Sequence, residues 1–516
     1  MTRLTYQNLY SDAPDMSDLD DAFEAALGEA RATGFEPCPH LVGGEPVRDG
    51  DVIEREDPSR CDATAGASFA ADRATVDRAV RSARAAAPQW AALSMQERAG
   101  LLEPAVGAVE ERRFELAALA SLETGKSRSE ALAEVEEIAE LVRIYCDAAR
   151  DPGKFEAELA EPSGSVRVRS FLRPYGVFGV IAPFNYPFAL ASNMALAALV
   201  TGNAVVVKPS HLTPRCATAL AEILGGLDIP AGTFNLVHGG DEAGAALVEG
   251  DVDGIAFTGS AGVGLAILRR MQSGPFPRPV IAEMGGKNPT IVTASADLSM
   301  AASAIAKSAF GLSGQKCNCC SRVLADAAIH DELLELVGVE AGRMQIGDPV
   351  ERGSAAGPVI DAGAIERFES SVAQVREAGG TVVAGGERAS DRGYFALPTV
   401  VSGLPAGHRL TREELFVPFL TVVRTAGLGE ALAEANAVPF GLTAGIFSGD
   451  DGEVAEFLDR VEAGCTLVNH AAGATTGLWP GSHTFGGWKA SGTTGKHAFG
   501  AFYLQQYMRQ QCQTLG

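Results

Sequence analysis

Short runs of apolar, largely β-branched residues recur along this chain with helical stretches between them. Runs at 177–181, 204–207, 235–237 and 254–257 are separated by helical text at 188–200 and 215–224. A strand followed by a helix and another strand makes a parallel crossover, so repetition of the pattern predicts a parallel sheet covered by helices. After Asn288 the alternation restarts, with 290–292, a helix over 298–312, 321–324 and a helix over 331–340. The fold class is therefore α/β, with two such units. Ahead of them, 71–149 is helical, rich in Ala, Glu, Arg and Leu, and stops at Asp151-Pro152-Gly153. Val166 and Val168 alternate with Arg167 and Arg169, which predicts a strand over 165–170. The aromatic and apolar stretch 501–507 reads as strand-like, fit either to pair with another subunit's sheet edge or to pack on its own chain.

A length of 516 residues suits roughly three structural units. No apolar run is long enough to cross a membrane. Residues 1–36 read as an acidic helical preface; Asp12, Asp15, Asp18, Asp20 and Asp21 leave no room for the basic start and apolar run of a secretory signal, so a cytoplasmic protein is expected. The net charge of −23, with no basic stripe, excludes nucleic acid as a partner. Only eight lysines are present. An acidic, lysine-poor surface fits a salt-adapted host, and it fits equally an acidic protein from a GC-rich genome. Nine scattered cysteines make no disulfide framework, and Cys317, Cys319 and Cys320 lack a second ligand pair at zinc spacing, so no metal is expected.

Five segments carry chemistry. Gly314-Gln315-Lys316-Cys317 puts a thiol in a glycine-rich turn that a ligand can approach; alone, Cys317 could equally be a small buried residue. Glu283-Met284-Gly285-Gly286 puts a carboxylate before a flexible turn, fit to activate water or simply to be solvated. Pro183-Phe184-Asn185-Tyr186-Pro187 follows a strand, where an amide could donate to an oxyanion or only shape the turn. Lys208 ends a strand before Pro209-Ser210, and Thr258-Gly259-Ser260-Ala261-Gly262-Val263-Gly264 is a strand, a glycine turn and a helix start, suited to a pyrophosphate although not at ordinary dinucleotide-fingerprint spacing. Glu413-Glu414-Leu415-Phe416 offers a carboxylate and a ring.

Together, in their order along the chain and over residues from about 40 to the end, these segments resemble the aldehyde dehydrogenase superfamily. The resemblance implies a Rossmann-like dinucleotide-binding domain (37–150 and 172–285), an α/β catalytic domain (286–484), and a small β oligomerisation arm (151–171 and 485–516), with 1–36 as an extension. It implies that Cys317 is the nucleophile, Glu283 the base for deacylation, and Asn185 the oxyanion donor with the Cys317 amide. NAD or NADP would meet Ile181, Pro183, Phe184, Lys208, Ser210, His211, Thr258, Gly259, Ser260, Val263, Gly264, Met284, Gly285, Glu414 and Phe416. His211 stands where strict NAD users often carry a glutamate, and Val417 where glycine is frequent.

Within the superfamily the chain is most similar to the 1-pyrroline-5-carboxylate (glutamate γ-semialdehyde) dehydrogenases. The similarity rests on Gly-Gln-Lys-Cys at 314–317 with Cys320-Ser321-Arg322, on the 477–487 loop, and on Ser491-Gly492-Thr493 with Tyr503-Leu504-Gln505-Gln506. It implies substrate contacts at Tyr186, Asn318, Gly477, Leu478 and Phe485, and a homo-oligomer of two or more copies. Asn318 departs from the serine more often found after the nucleophile. Other semialdehyde or broad-range aldehyde dehydrogenases, and a non-catalytic protein on the same fold, are the alternatives; Glu283 argues against a CoA-acylating relative.

Overall fold

The computed structural model describes residues 17–32, 36–160, 164–500 and 502–516. Of the acidic preface, Ser17–Ala32 is a helix, and the rest of residues 1–36 except Glu36 lies outside the described residues. Two seven-stranded sheets dominate the fold. In the first, the strands run in the order Val280–Met284, Gly254–Gly259, Val177–Ile181, Ala204–Lys208 and Phe234–Leu236, all parallel, and two antiparallel strands, His40–Val42 and Glu45–Val47, extend it. The earliest parallel strand, Val177–Ile181, has later strands on both sides. The crossovers therefore leave toward opposite edges, and the carboxyl ends of Val177–Ile181 and Gly254–Gly259 splay apart into a crevice.

Alternation along each strand supplies two cores. Phe178, Val180, Val205 and Val207 face one helical layer; Val177, Val206, Ile255 and Phe257 face the other. The first layer centres on helix Ala189–Val200, whose residues are buried on every side but Leu190. Such an all-round apolar helix belongs inside a protein, and each large side chain it buries contributes about 1.5–3 kcal/mol.

The second sheet runs Thr381–Ala384, Thr399–Ser402, Phe419–Thr425, Cys320–Asp326, Asn288–Val292, Thr443–Phe447 and Cys465–Val468, parallel except for the first strand. The chain passes from the end of the first sheet at Met284 to the start of the second at Asn288 through three residues. That short passage sets the carboxyl end of one sheet beside the amino end of the other.

A third, antiparallel sheet joins Glu156–Leu159, Arg167–Pro174 and Met508–Leu515. The strand expected at 501–507 is displaced: Leu504–Tyr507 is a 3₁₀ turn, and the strand begins at Met508. Tyr503, Leu504 and Tyr507 fall at helical spacing and are buried, whereas the polar residues after them form the strand. Ala501 lies outside the described residues. The hairpin Val52–Asp57 with Arg60–Phe69 had no sequence expectation. Its buried Arg55 donates to the carbonyls of Leu212 (3.0 Å), Glu123 (3.2 Å) and Ile360 (2.7 Å), joining segments of both large sheets' surroundings.

Candidate active site

The loop that carries Cys317 follows helix Leu298–Phe310. Leu312 (φ 46°), Ser313 (φ 51°) and Gly314 (φ 72°) turn left-handed in succession. For the two non-glycine residues that conformation costs about 1–2 kcal/mol each. Specific bonds hold it there. Ser313 Oγ donates to the Gly357 carbonyl (2.6 Å), Gln315 Nε2 donates to Leu312 O (3.1 Å), and Gln315 Oε1 accepts from Ile360 N–H (2.9 Å). At Gly314 a Cβ would stand 2.3 Å from the Val417 carbonyl, so only glycine fits. Val417, read as a departure, thus supplies a backbone wall to this turn.

Cys317 emerges from the turn partly exposed. Asn288 Nδ2, at the start of the adjoining strand, donates to the carbonyls of Cys317 (2.8 Å) and Cys319 (2.9 Å), and Asn288 Oδ1 accepts from Thr443 N–H (3.1 Å). Burial pushes the Cys317 thiol well above its ordinary range, and negative charge at Glu414, Cys319 and Glu283 adds to this. Cys319 is buried, and its thiol is pushed up to about 12, chiefly by burial.

Asn185 is brought to the same place. Its Nδ2 donates to the carbonyl of Gln315, two residues before Cys317 (2.9 Å), and the residue is only 3% exposed. Glu283 is the last residue but one of the edge strand of the first sheet. Its Oε2 is shut off from solvent and has no hydrogen-bond partner among the described residues; burial raises its carboxyl well above the usual range against the pull of the Gly487 backbone. The Ser491-Gly492-Thr493 segment straps that strand. Met284 N–H donates to Ser491 O (2.9 Å), Thr493 Oγ1 accepts from Ala282 N–H (2.9 Å), and Ser491 Oγ donates to Gly285 O (2.7 Å).

The Gly285-Gly286 turn threads between Cys317 and Glu414. Glu414 Oε1 accepts from Gly286 N–H (3.0 Å), and burial lifts that carboxyl to about 7. A Cβ at Gly286 would stand 2.9 Å from the Cys317 carbonyl, and one at Gly285 1.9 Å from Glu414 Oε2. Phe416, with φ 57°, meets Phe184 edge to face at 5.9 Å.

At the crevice of the first sheet lies a cavity of about 630 Å³. Ile181, Pro183, Lys208, Thr258, Gly259, Ser260 and Val263 line it, and so do Gly240, Asp241, Val248 and Ile267, which had no sequence expectation. Ser260 caps helix Ala261–Gln272, accepting from Val263 N–H (3.4 Å), so the helix opens toward the cavity with free amides suited to a pyrophosphate. Lys208 donates to the carbonyls of Pro209 (2.7 Å) and Gly239 (3.2 Å); burial lowers its ammonium to about 8. The nearby His211 is half-buried, and burial, then Lys208, lower its imidazole below the usual range. Ser210 Oγ accepts from Leu212 N–H (3.2 Å), a turn bond. Gly264 and Met284 stand against each other beneath the helix, since a Cβ at Gly264 would meet Met284 Sδ at 2.4 Å. The volume, the helix opening and the Lys208 ammonium are compatible with a dinucleotide in this cavity.

On the opposite side of Cys317 lies the 477–485 loop. Thr475 Oγ1 donates to Asn318 O (2.7 Å), tying the loop's root to the residue after the nucleophile. Gly477 has φ 90°, and the N–H groups of Gly477 and Leu478 make no hydrogen bond to the described residues. Phe485 exchanges two backbone hydrogen bonds with Ala498 (3.0 and 2.8 Å). The loop rests on helix Arg128–Ala149, with Gly481 against Glu140 and Ile144. Glu137 lies one turn before Glu140 on that helix face. Burial, then the nearby Glu134, lift its carboxyl to about 8. Sequence reasoning passed over Glu137 because acidic residues on a helix ordinarily mark its solvated side. Tyr186 carries the Lys126 ammonium 3.9 Å over its ring.

Among the described residues no group of His, Cys, Asp and Glu could hold a metal ion, and no helix is long and apolar enough to cross a membrane. The aldehyde dehydrogenase family profile matches residues 47–512. A 1-pyrroline-5-carboxylate dehydrogenase of Bacillus cytotoxicus is 34% identical over 495 residues, 95% of each chain. The crystal structure of 1-pyrroline-5-carboxylate dehydrogenase from Thermus with bound NAD is similar with a TM-score of 0.93 and 30% identity, covering 100% of this chain and 99% of that one. Proline utilization A from Bdellovibrio bacteriovorus is similar with a TM-score of 0.90 and 31% identity over 96% of this chain and 51% of that one. With the match spanning nearly its whole length, this chain belongs to the aldehyde dehydrogenase family.

Proposed function

We propose that this NAD(P)-dependent dehydrogenase oxidises L-glutamate γ-semialdehyde, the open form of 1-pyrroline-5-carboxylate, to L-glutamate. The observation that carries the reading is what surrounds Cys317: an amide donor, a carboxyl with one buried oxygen that has no partner among the described residues, and a loop that offers two backbone N–H groups and rests at Gly481 on the helix that bears Glu137. The relatives named for the same reaction support it.

In this reading the Cys317 thiolate adds to the aldehyde carbon and forms a carbon–sulfur bond. The carbonyl electron pair moves to oxygen, where Asn185 Nδ2 leaves Gln315 to donate to the oxyanion. The dinucleotide, held by Lys208, the Ser260 helix opening and Glu414, supplies the acceptor for the two electrons and the hydrogen of the aldehyde carbon. The acyl group is then a thioester on Cys317. Glu283 takes a proton from water, whose oxygen attacks the thioester; the carbon–sulfur bond breaks and the thiolate returns. The sum is aldehyde, water and oxidised dinucleotide giving acid, reduced dinucleotide and a proton. Gly477 and Leu478 N–H groups receive the substrate's α-carboxylate, Glu137 balances its ammonium, and Phe485 packs on its methylenes.

Steady-state rates with glutamate γ-semialdehyde, succinate semialdehyde and simple aldehydes, each with NAD and NADP, test this. The highest kcat/KM belongs to glutamate semialdehyde, and Glu137→Gln narrows its lead. A simple aldehyde that outperforms it would overturn the substrate. Asn318, in place of a hydroxyl, is the one observation that favours the second reading, a different semialdehyde. The proposal extends to a homo-oligomer, supported by exposed Leu159 and Leu515 on the three-stranded arm, and to the cytoplasm, supported by nine free thiols. A salt-adapted surface, supported by the charge of −23, predicts stability that rises with salt.

A further inference from the structure

Two lysine–carboxylate pairs sit on the first turns of helix Arg128–Ala149, one turn apart. Lys126 Nζ pairs with Glu134 Oε2 at 2.5 Å, with both side chains fully buried. Lys316 Nζ pairs with Glu130 Oε1 at 2.5 Å, with 10% and 7% of the side chains exposed. A buried ion pair is a poor source of stability, because desolvation of both charges offsets their attraction. These pairs hold something else in place.

Every donor and acceptor of the inner pair is used on one turn of chain. The Lys126 ammonium donates to the Asn185 carbonyl and lies over the Tyr186 ring. Glu134 Oε1 accepts from the N–H groups of Phe188 (2.8 Å) and Ala189 (3.1 Å), at the start of helix Ala189–Val200. The 185–189 turn is thus gripped at both ends by two side chains. The outer pair grips Lys316, the neighbour of Cys317. One rigid helix therefore fixes the two loops whose separation sets where an oxyanion could meet the Asn185 amide.

We propose that Lys126 and Glu134 are positioning residues for the oxyanion site, holding the main chain at Asn185 so that its amide meets the carbonyl oxygen of a substrate on Cys317. The pair touches no reacting atom. The inference rests on the reading of Asn185 as the oxyanion donor.

The test is a double-mutant cycle on the pre-steady-state burst of reduced dinucleotide, which reports thioester formation. Lys126→Met lowers the burst rate on the order of 10²-fold, as misplacement of a reacting group by about 1 Å can. The KM for aldehyde and the Kd for dinucleotide stay within about twofold, as a purely structural defect would not leave them. On an Asn185→Ala background the same substitution slows the burst by no more than about threefold, because the group it positions is already gone. Fully multiplying effects, or a Lys126→Met burst within about threefold of the parent, overturn the proposal. An Asn185→Ala enzyme with an unchanged burst sinks the oxyanion reading itself, which separates the two failures. Should Lys126→Met not fold, Glu134→Gln runs the same cycle: it keeps an acceptor for Phe188 and Ala189 while removing the counter-charge, and the same loss of effect on the Asn185→Ala background is expected.

Discussion

Gly285→Ala adds one methyl group to the turn between Cys317 and Glu414. Gly285 has no positive φ, so alanine meets no backbone penalty there and the effect is steric. The new Cβ would stand 1.9 Å from Glu414 Oε2, 2.5 Å from Cδ and 2.6 Å from Oε1. Real Cβ contacts below 3.0 Å essentially never occur, so the carboxyl must withdraw by at least 3.0 − 1.9 = 1.1 Å. Its bond from Gly286 N–H is already 3.0 Å long, and a withdrawal of that size away from the turn breaks it. A hydrogen bond to a charged acceptor contributes about 1.5–3 kcal/mol, a factor of roughly 10 to 150. The expected loss in kcat/KM for the dinucleotide therefore lies in that range. It also depends on pH. The Glu414 carboxyl is lifted to about 7, and the Gly286 N–H holds it down. The ionised form loses most when that bond goes, so the gap between parent and variant widens as pH rises through 7. Gly262→Ala is the control, because its Cβ meets nothing within 4 Å although the residue lines the crevice cavity beside Lys208 and Ser260. Dinucleotide titrations and steady-state rates at two pH values decide. If Gly285→Ala kept the parental cofactor KM and kcat, Glu414 would not be holding the cofactor.

Three further outcomes are expected. Cys317→Ala loses aldehyde oxidation and keeps dinucleotide binding, checked by turnover and by a binding titration on one sample. Glu283→Gln gives a normal burst of reduced dinucleotide and a slow steady state; in the parent, steady turnover falls as pH drops through the raised Glu283 carboxyl, because only the carboxylate can take a proton from water. The variant loses that limb of the profile. Lys287 is 1% exposed and burial lowers its ammonium from 10.5 to about 7, so the unfolded chain holds a proton that the folded one releases between those values. The resulting penalty is full below pH 7 and fades as pH rises toward 10.5; the parent therefore gains about 2 kcal/mol on Lys287→Met between pH 7 and 9. Parallel denaturation midpoints for the two proteins across that range would contradict it.

The sheets were legible in the sequence because strands buried on both faces leave continuous apolar runs, as at 204–207, and crossover helices separate them at readable spacing. The glycine turns were legible for a related reason. Gly314 stands where a side chain cannot, and the turn it makes delivers Cys317. What escaped is chemistry hidden in helical text. Glu130, Glu134 and Glu140 look like a solvated acidic face, and only tertiary packing turns that face inward against Lys316, Lys126 and the 477–485 loop. Charge at helical spacing carries no sign of which side is wet. The hairpin at 52–69 escaped because a charged strand edge such as Glu54-Arg55-Glu56 lacks the apolar alternation of a half-buried strand. The tail misled because an aromatic run reads as strand, whereas three of its side chains sink into the helical core.

The acids around Cys317 also bear on its order of events. Negative charge at Glu414 and Glu283 raises the thiol, and burial raises both carboxyls, so each of the three keeps its proton to higher pH than it would in water. Their titrations are coupled: each carboxyl that stays protonated removes repulsion against the thiolate. The nucleophile and the base are thus discouraged from carrying charge together. Thioester formation needs the thiolate and gains from a neutral Glu283. Hydrolysis comes after the sulfur has been acylated and its charge removed, which is when a carboxylate at Glu283 costs least. In the proposed mechanism, the packing that brings these partly exposed groups together is therefore the same feature that separates the two half-reactions in time.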